Sequence, residues 1–154
     1  MAERPIDPDV DLHVPEQRAE LRPESRWPVL AMIAAGGALG ASARFWAQSA
    51  WPARPAGFPW ATFWVNVSGC LLIGVLMVLI TEVGRAHRLV RPFLGVGVLG
   101  GFTTFSTYVV ESRAVVAAGA PVTALAYLAA TMAAALAAVT LGMLVTRRLA
   151  GVGR

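Results

Sequence analysis

The sequence contains no lysine, and it has a single cysteine, Cys70, among its 154 residues. One cysteine cannot form a disulfide within the chain, and two isolated histidines predict neither a zinc site nor a catalytic triad. After residue 26 the only acidic residues are Glu82 and Glu111. Because no nucleophile–base pair or carboxylate pair can be assembled from these residues, the sequence does not predict an enzyme.

Apolar residues, by contrast, dominate the composition: 56% of the chain is hydrophobic and 14% is charged. That balance is too apolar for a soluble domain of this size. The net charge is +4, but the arginines flank apolar runs and form no patch with interleaved aromatic residues, so no nucleic-acid partner is predicted. Arginines in such positions are typical of the ends of membrane spans. The sequence therefore predicts a protein of the lipid bilayer.

Four apolar segments are each long enough to cross a bilayer as a helix, which takes about 20 residues. They cover residues 28–50, 61–80, 92–110 and 122–145. The preceding residues, 1–26, are rich in proline and charge, a composition typical of a disordered leader. Residues 149–154 form a short tail. We therefore expect an all-α membrane protein whose function lies among four transmembrane helices at 27–148.

The third segment contains a break. Its apolar run is interrupted at Gly100-Gly101, and a cluster of hydroxyl residues interleaved with aromatic ones follows: Phe102, Thr103, Thr104, Phe105, Ser106, Thr107 and Tyr108. Lipid cannot hydrogen-bond to a peptide backbone, so a broken helix at membrane depth survives only where protein or water lines it. In transporters such breaks bind ions through freed backbone groups. This segment predicts the wall of an ion path.

Polar groups inside the spans indicate which ion such a path carries. No aspartate occurs in any span, and the only acid near the hydroxyl cluster is Glu111, which argues against a proton-coupled carrier. The Asn66 amide and the hydroxyls of Thr131 and the third segment are neutral donors. Phe105 and Tyr108 can present positive ring edges. These groups suit a small anion that must shed water without being trapped.

Three motifs carry a resemblance to a known family. They are GGALGASAR at 36–44, ATFWVNVSGCLLIG at 61–74 and GVLGGFTTFSTYVVES at 97–112. In these motifs and their order, over about 27–148, the chain is similar to the Fluc (CrcB-type) family of microbial fluoride channels. The resemblance implies a passive, fluoride-selective channel in the bacterial inner membrane that expels fluoride to relieve its toxicity. It also implies a dimer of two antiparallel subunits with two pores.

The resemblance further assigns roles to individual residues. Asn66 matches the family's pore asparagine, and Phe105 matches the first of two pore phenylalanines. Tyr108 stands where the second phenylalanine is normally found, so we expect conduction to survive at an altered rate. Glu111 matches an acid near the polar track and would belong to the fluoride pathway, and Arg44 would lie at a pore vestibule or anchor its helix. The remaining members of a polar track would be Ser106, Thr107 and Thr131.

A sodium ion is the one cofactor that the resemblance implies. The backbone carbonyls of Gly100 and Thr103, at the helix break, would hold it at the dimer axis, where its role would be structural. Carbonyl oxygen is a suitable ligand for a hard cation of this kind. In this sequence, Gly100 and Thr103 stand at the positions of the motif that match those ligands.

The distribution of arginine bears on how the chain inserts into the membrane. If the four segments alternate in direction, the leader, the 81–91 connection and the residues after 145 share one side and carry all the arginines except Arg44, Arg54 and Arg113. Because positive residues prefer the cytoplasm, we expect both termini to lie inside. A homodimer of antiparallel subunits needs nearly balanced insertion. A heterodimer with an oppositely oriented paralogue therefore stays open beside the homodimer.

Two other functional classes remain as alternatives. A small four-helix multidrug or cation exporter is the first, but such a protein would need a glutamate in its first span, and residues 28–50 contain none. A non-transporting membrane scaffold is the second. It predicts that replacing Asn66 or Phe105 leaves the phenotype unchanged, whereas a channel predicts loss of flux.

Overall fold

The computed structural model describes residues 23–83 and 89–151, and these residues contain helices and no strand. The helices are α1 (Pro23–Ala50), α2 (Trp60–Val78, extended by a π-helical turn at Leu79–Val83), α3 (π-helical Arg91–Leu99, continued by Gly100–Phe102), α4 (Ser106–Ala117) and α5 (Pro121–Ala150). Four stretches are long and apolar enough to cross a membrane: Trp27–Ala50, Trp60–Val83, Arg91–Ala117 and Pro121–Ala150. The predicted all-α membrane fold is therefore confirmed. Of the predicted leader, residues 1–22 lie outside the described residues.

Two helix pairs build the bundle, and glycines allow both pairs to approach closely. α1 lies along α3, where Gly36 and Gly40 face the α3 backbone. α2 lies along α5, where Gly74 faces the backbone at Val139 and Gly142 faces the backbone at Leu71. In lipid no hydrophobic force drives helices together, so close backbone contact between small residues supplies much of the association. The spacing of Gly36 and Gly40 is the sequence signal for this packing.

A tight turn joins α4 to α5. Gly119 adopts a left-handed conformation (φ 83°), and its N–H donates to the Val116 carbonyl at 2.9 Å. The N–H of Ala120 donates to the Val115 carbonyl at 3.1 Å, which completes the hydrogen-bond pattern of a Schellman motif. Pro121 then begins α5 at a position where a helix needs no N–H donor. The turn makes α4 and α5 antiparallel neighbours.

The two ends of the bundle are joined by different kinds of contact. At one end, Arg147 on α5 makes a bidentate ion pair with Glu82, with N–O distances from 2.6 to 2.9 Å. Near the other end, the aromatic rings of Phe58, Tyr108 and Tyr127 pack together, and Tyr127 is completely buried. The exposed ion pair contributes little stability because solvent screens it. The aromatic cluster is the rigid element beside the break between α3 and α4.

Gly40→Ala tests the packing of α1 on α3. A methyl group at Gly40 meets the Val98 carbonyl oxygen and lies 2.8 Å from the Phe102 nitrogen, so the two backbones must separate. We expect this overpacking to lower the free energy of unfolding by about 1–3 kcal/mol. Gly37→Ala is the matched control, since a methyl group there has no neighbour within 4 Å. Thermal unfolding in detergent compares the two, and equal stability would contradict the packing described.

Candidate functional site

The backbone leaves helical geometry between α3 and α4. The last helical residue of α3 is Phe102, Thr103 is extended (φ −75°, ψ 158°), and α4 begins at Ser106. Thr103 still donates its N–H to the Leu99 carbonyl at 3.0 Å, so the helical ladder ends there. This segment lies in the middle of the third membrane-spanning stretch. Its polar backbone groups therefore need partners from elsewhere in the protein.

Asn66 on α2 supplies two of those partners to a single residue. Its Nδ2 donates to the Thr104 carbonyl at 2.9 Å, and its Oδ1 accepts from the Thr104 N–H at 2.8 Å. The Asn66 side chain is buried, with 9% of its surface exposed. The amide thus matches both the donor and the acceptor of the unwound backbone. One Nδ2 hydrogen is left over for another acceptor.

The contacts of Thr104 also free two carbonyl groups. In a continuous helix, the Thr104 N–H would donate to the Gly100 carbonyl and the Thr107 N–H to the Thr103 carbonyl. Here the Thr104 N–H bonds to Asn66, and the Thr107 N–H bonds to Thr104 Oγ1 at 3.1 Å. The carbonyl oxygens of Gly100 and Thr103 have therefore lost their helical donors. Two neutral oxygens freed in this way are suitable ligands for a hard cation such as sodium.

Arg44 on α1 holds a third carbonyl at the break. Its Nε donates to the Gly101 carbonyl at 3.1 Å, so the guanidinium anchors the end of α3 to α1. Gly101 itself packs against the α1 backbone at Gly37 and Ala41, whereas a methyl group at Gly100 would meet nothing closer than 3.9 Å. Of the two adjacent glycines, Gly101 thus serves helix packing. Gly100 borders the open side of the break.

An open groove of about 370 Å³ runs past the break between α2, α4 and α5. Its lining includes the polar residues Asn66, Thr103, Thr104 and Thr131, the aromatic residues Phe105 and Tyr108, and Gly100, and no lining residue carries a charge. The Thr131 side chain is 5% exposed, and its hydroxyl has no hydrogen-bond partner among the described residues. Phe105 is 73% exposed and lies at the mouth of the groove. The groove is thus lined by neutral donors and aromatic rings.

Two of the predicted track residues lie apart from this groove. Ser106 and Thr107 are on the first turn of α4, and both side chains approach the Thr104 hydroxyl, at 3.4 and 3.1 Å respectively. Neither belongs to the lining of the groove, while Thr131 does. Their hydroxyls form a local cluster at the start of α4. The cluster supplies hydrogen-bond partners at the first turn of α4. That helix lacks an ordinary capping residue, because Phe105 stands at the N-cap position.

Tyr108 uses its hydroxyl for packing. The side chain is 7% exposed, its ring lines the groove, and its hydroxyl donates to the Leu128 carbonyl on α5 at 2.8 Å. The ring centroid lies 5.8 Å from that of Phe105 and 5.1 Å from that of Tyr127. The extra hydroxyl of tyrosine therefore points to the helix backbone of α5, and the ring is the part of Tyr108 that the groove presents.

The contacts of Asn66, Thr104 and Arg44 at the break form one polar layer. A second polar layer lies one helical turn away from it. Glu111 accepts the Thr62 hydroxyl at 3.0 Å on Oε1 and the Tyr127 hydroxyl at 3.0 Å on Oε2. Gln48 on α1 donates its Nε2 to the Thr62 hydroxyl at 3.0 Å. Each oxygen of the carboxylate thus receives a hydroxyl. The layer links α1, α2, α4 and α5.

The sequence prediction included Glu111 but missed the partners of its carboxylate. The spacing offers a signal for two of them: Thr62 precedes Asn66 by four residues, and Tyr127 precedes Thr131 by four. Residues four apart share one face of a helix, so each lies beside a residue that the prediction did include. Gln48 carries no such signal in the sequence.

Comparison with known proteins adds to this geometry. The family described as CrcB-like protein, Camphor Resistance (CrcB), matches residues 31–143. The chain belongs to this family. The matched CrcB region contains the break, both polar layers and Arg44. It ends beyond Thr131, so every candidate site residue falls within it.

Several relatives in the CrcB family carry a functional name. The chain is 60% identical over 119 residues, 75% of each chain, to "Fluoride-specific ion channel FluC 2" of Streptomyces avermitilis. It is 58% identical over 135 residues, 85% of this chain and 88% of the relative, to "Fluoride-specific ion channel FluC 1" of Streptomyces coelicolor. It is 55% identical over 126 residues to "Fluoride-specific ion channel FluC 2" of Nocardia farcinica, covering 82% and 90% of the two chains.

Tyr108→Phe tests whether the hydroxyl is a packing group. It removes the donor to the Leu128 carbonyl, so we expect the free energy of unfolding to fall by about 1 kcal/mol. Thr131→Val is the contrasting variant, because it removes a buried hydroxyl without a described partner and should leave stability equal or higher. Thermal unfolding in the same detergent compares them. A stability unchanged in Tyr108→Phe would contradict the assignment.

Proposed function

We propose that this protein is a passive, fluoride-selective ion channel of the bacterial inner membrane that lets cells expel fluoride. The observation that carries the proposal is the groove at the helix break, which is lined by neutral donors and aromatic rings and by no charged side chain. High identity to relatives named fluoride-specific ion channels gives independent support. Their names describe channels, which agrees with the lack of an enzyme-like constellation in the sequence.

The chemistry of the groove suits a small anion. The spare hydrogen of the Asn66 amide and the free hydroxyl of Thr131 are donors at membrane depth. The exposed Phe105 can offer its positive edge to the same ion. Because none of these groups is charged, an anion can exchange water for them and still leave, as conduction requires. We infer that the unwound segment after α3 and the groove beside it form the narrow part of the path.

A second copy of the chain completes the proposed path. One subunit leaves Gly100, Phe105 and Ser106 exposed on the side of the break, where lipid would meet polar backbone. An antiparallel partner that covers this side would turn the open groove into an enclosed pore and supply a second pore by symmetry. Streptomyces avermitilis has two relatives, FluC 2 and FluC 3, so a paralogue is an alternative partner to a second copy.

A sodium ion would hold the two subunits together at the break. Gly100 and Thr103 are the residues that would bind it, because their carbonyls have lost their helical donors. Bound there, the ion would supply positive charge that neutralises carbonyl dipoles at the subunit boundary. The chain's own part is to keep the two carbonyls free, which it does by directing the Thr104 N–H to Asn66 and the Thr107 N–H to the Thr104 hydroxyl.

The exporter and scaffold alternatives lack a comparable observation. A cation exporter needs an acidic group in its binding site, and the groove has none among its lining residues. A scaffold gives no reason to leave the Thr131 hydroxyl buried and unpartnered, since such a group costs stability. The channel proposal accounts for both features.

The direct test is ion efflux from liposomes. The purified protein is reconstituted in vesicles loaded with potassium fluoride, and efflux is followed with a fluoride electrode after a potassium ionophore is added. Parallel vesicles contain chloride. The proposal predicts rapid fluoride efflux without chloride efflux. Absence of fluoride efflux, both alone and after co-expression with a candidate paralogue, would contradict it.

Asn66→Asp tests the anion path. The change replaces a donor with a carboxylate oxygen that faces the Thr104 carbonyl and adds negative charge to the groove. Like-charge repulsion at short range should reduce fluoride efflux to the level of empty vesicles. Thr140→Val is the matched control, because the exposed Thr140 hydroxyl bonds to the Leu136 carbonyl of its own helix. Efflux from Asn66→Asp at the parental rate would argue against the path.

Phe105→Ile tests the role of the ring edge. Isoleucine keeps an apolar side chain of substantial size but has no positive edge, so we expect fluoride efflux to fall at least tenfold, which corresponds to about 1.4 kcal/mol. Trp64→Ile is the control, because Trp64 is an exposed aromatic residue on α2 that does not line the groove. Unimpaired efflux in Phe105→Ile would mean that the edge does not bind the ion.

A further inference from the structure

α1 reaches the two polar layers through two side chains one helical turn apart. Arg44 donates to the Gly101 carbonyl at the break, and Gln48 donates to the Thr62 hydroxyl in the second layer. The sequence predicts a role for Arg44 and for Glu111, and it predicts none for Gln48. Its side chain is half-buried, and its donor reaches across to α2.

The hydrogen bonds of Thr62 determine where its proton points. A threonine hydroxyl has one hydrogen and two lone pairs. Gln48 Nε2 occupies a lone pair at 3.0 Å, and the hydroxyl donates its one hydrogen to Glu111 Oε1 at 3.0 Å. Thr62 is completely buried, so no water competes for these positions. The amide of Gln48 therefore helps to fix the direction in which Thr62 donates.

The alternative partner of Thr62 is local. A threonine in a helix commonly donates to the carbonyl three or four residues earlier, and for Thr62, the third residue of α2, the helical carbonyl in reach is that of Pro59, which accepts the Phe63 N–H at 3.1 Å. If Thr62 turned to this carbonyl, Glu111 would lose one of its two hydroxyl donors and keep only Tyr127. The Glu111 side chain lies one turn from Tyr108, on the helix that borders the groove. A less constrained carboxylate there would repel an approaching anion.

We propose that Gln48 is a positioning residue for anion conduction. Acting through Thr62, it holds the carboxylate of Glu111 in the second polar layer and away from the anion's route. This inference rests on the proposed channel function. It concerns a residue outside the groove, and it assigns α1 a part in conduction besides packing against α3.

The test is a double-mutant cycle of fluoride efflux from liposomes. Gln48→Met keeps the length of the side chain but removes the donor, and we expect efflux to fall about fivefold, the equivalent of one ordinary hydrogen bond. In a Thr62→Val background the same change should have no further effect, because the group through which Gln48 acts is gone. Ser49→Ala, at an exposed neighbour on α1, is the control and should conduct at the parental rate.

Three outcomes would overturn the inference. They are parental efflux in Gln48→Met, an equal loss in the Thr62→Val background, and normal efflux in Thr62→Val alone. If Gln48→Met does not fold, the pair Thr62→Ser and Thr62→Val decides, since only serine keeps the hydroxyl and should keep the flux.

An infrared measurement separates this inference from the channel proposal. The carboxylate band of Glu111 is identified as the band lost in Glu111→Gln. It should shift in Gln48→Met if Gln48 acts through Thr62, whether or not the vesicles conduct. A parent that is impermeable to fluoride both alone and with a candidate paralogue, but shows the shift, would refute the channel and keep the hydrogen-bond chain. A conducting parent without the shift would refute the role of Gln48 alone.

Discussion

The absence of hydrogen-bond partners in lipid is the constraint on which this structure depends. A helix that unwinds inside the membrane must find a partner for each freed N–H and C=O. The Asn66 amide satisfies both groups of Thr104, and Arg44 satisfies the Gly101 carbonyl. The Asn66 contact releases the carbonyl of Gly100, and the bond from the Thr107 N–H to the Thr104 hydroxyl releases that of Thr103. The proposed sodium ligands are thus consequences of the contacts made by one unwound residue, Thr104.

The surrounding helices explain why this arrangement is stable. Glycine-mediated contacts join α1 to α3, the first half of the break, and α2 to α5, against which α4, the second half, packs. The aromatic rings around Tyr127 fix α4 against α5. At the break, polar groups stay exposed on the side of Phe105 and Gly100. That side is where a second subunit would remove polar backbone from lipid, which makes assembly and pore formation one event in the proposed account.

The fold and part of the site could be predicted from the sequence. Apolar length predicted the four spans, and Gly36 and Gly40 indicated a close helix contact, because both depend on local composition and spacing. Asn66, Phe105 and Thr131 stood out as polar or aromatic residues at depth. Contacts between distant segments could not be predicted: Gln48 meets Thr62, and the Tyr108 hydroxyl meets Leu128, only after the helices pack. Periodicity carries no information about such partners.

The most direct test of the account is a measurement of the contact between Asn66 and Thr104 in membranes. Solid-state NMR of the reconstituted, isotope-labelled protein detects proximity between Asn66 ¹⁵Nδ2 and the Thr104 carbonyl carbon, and between the Thr104 amide nitrogen and Asn66 Cγ. The account predicts both cross-peaks, since the hydrogen bonds are 2.9 and 2.8 Å long. Absence of both, in spectra that contain the intrahelical peaks of α2, would contradict it.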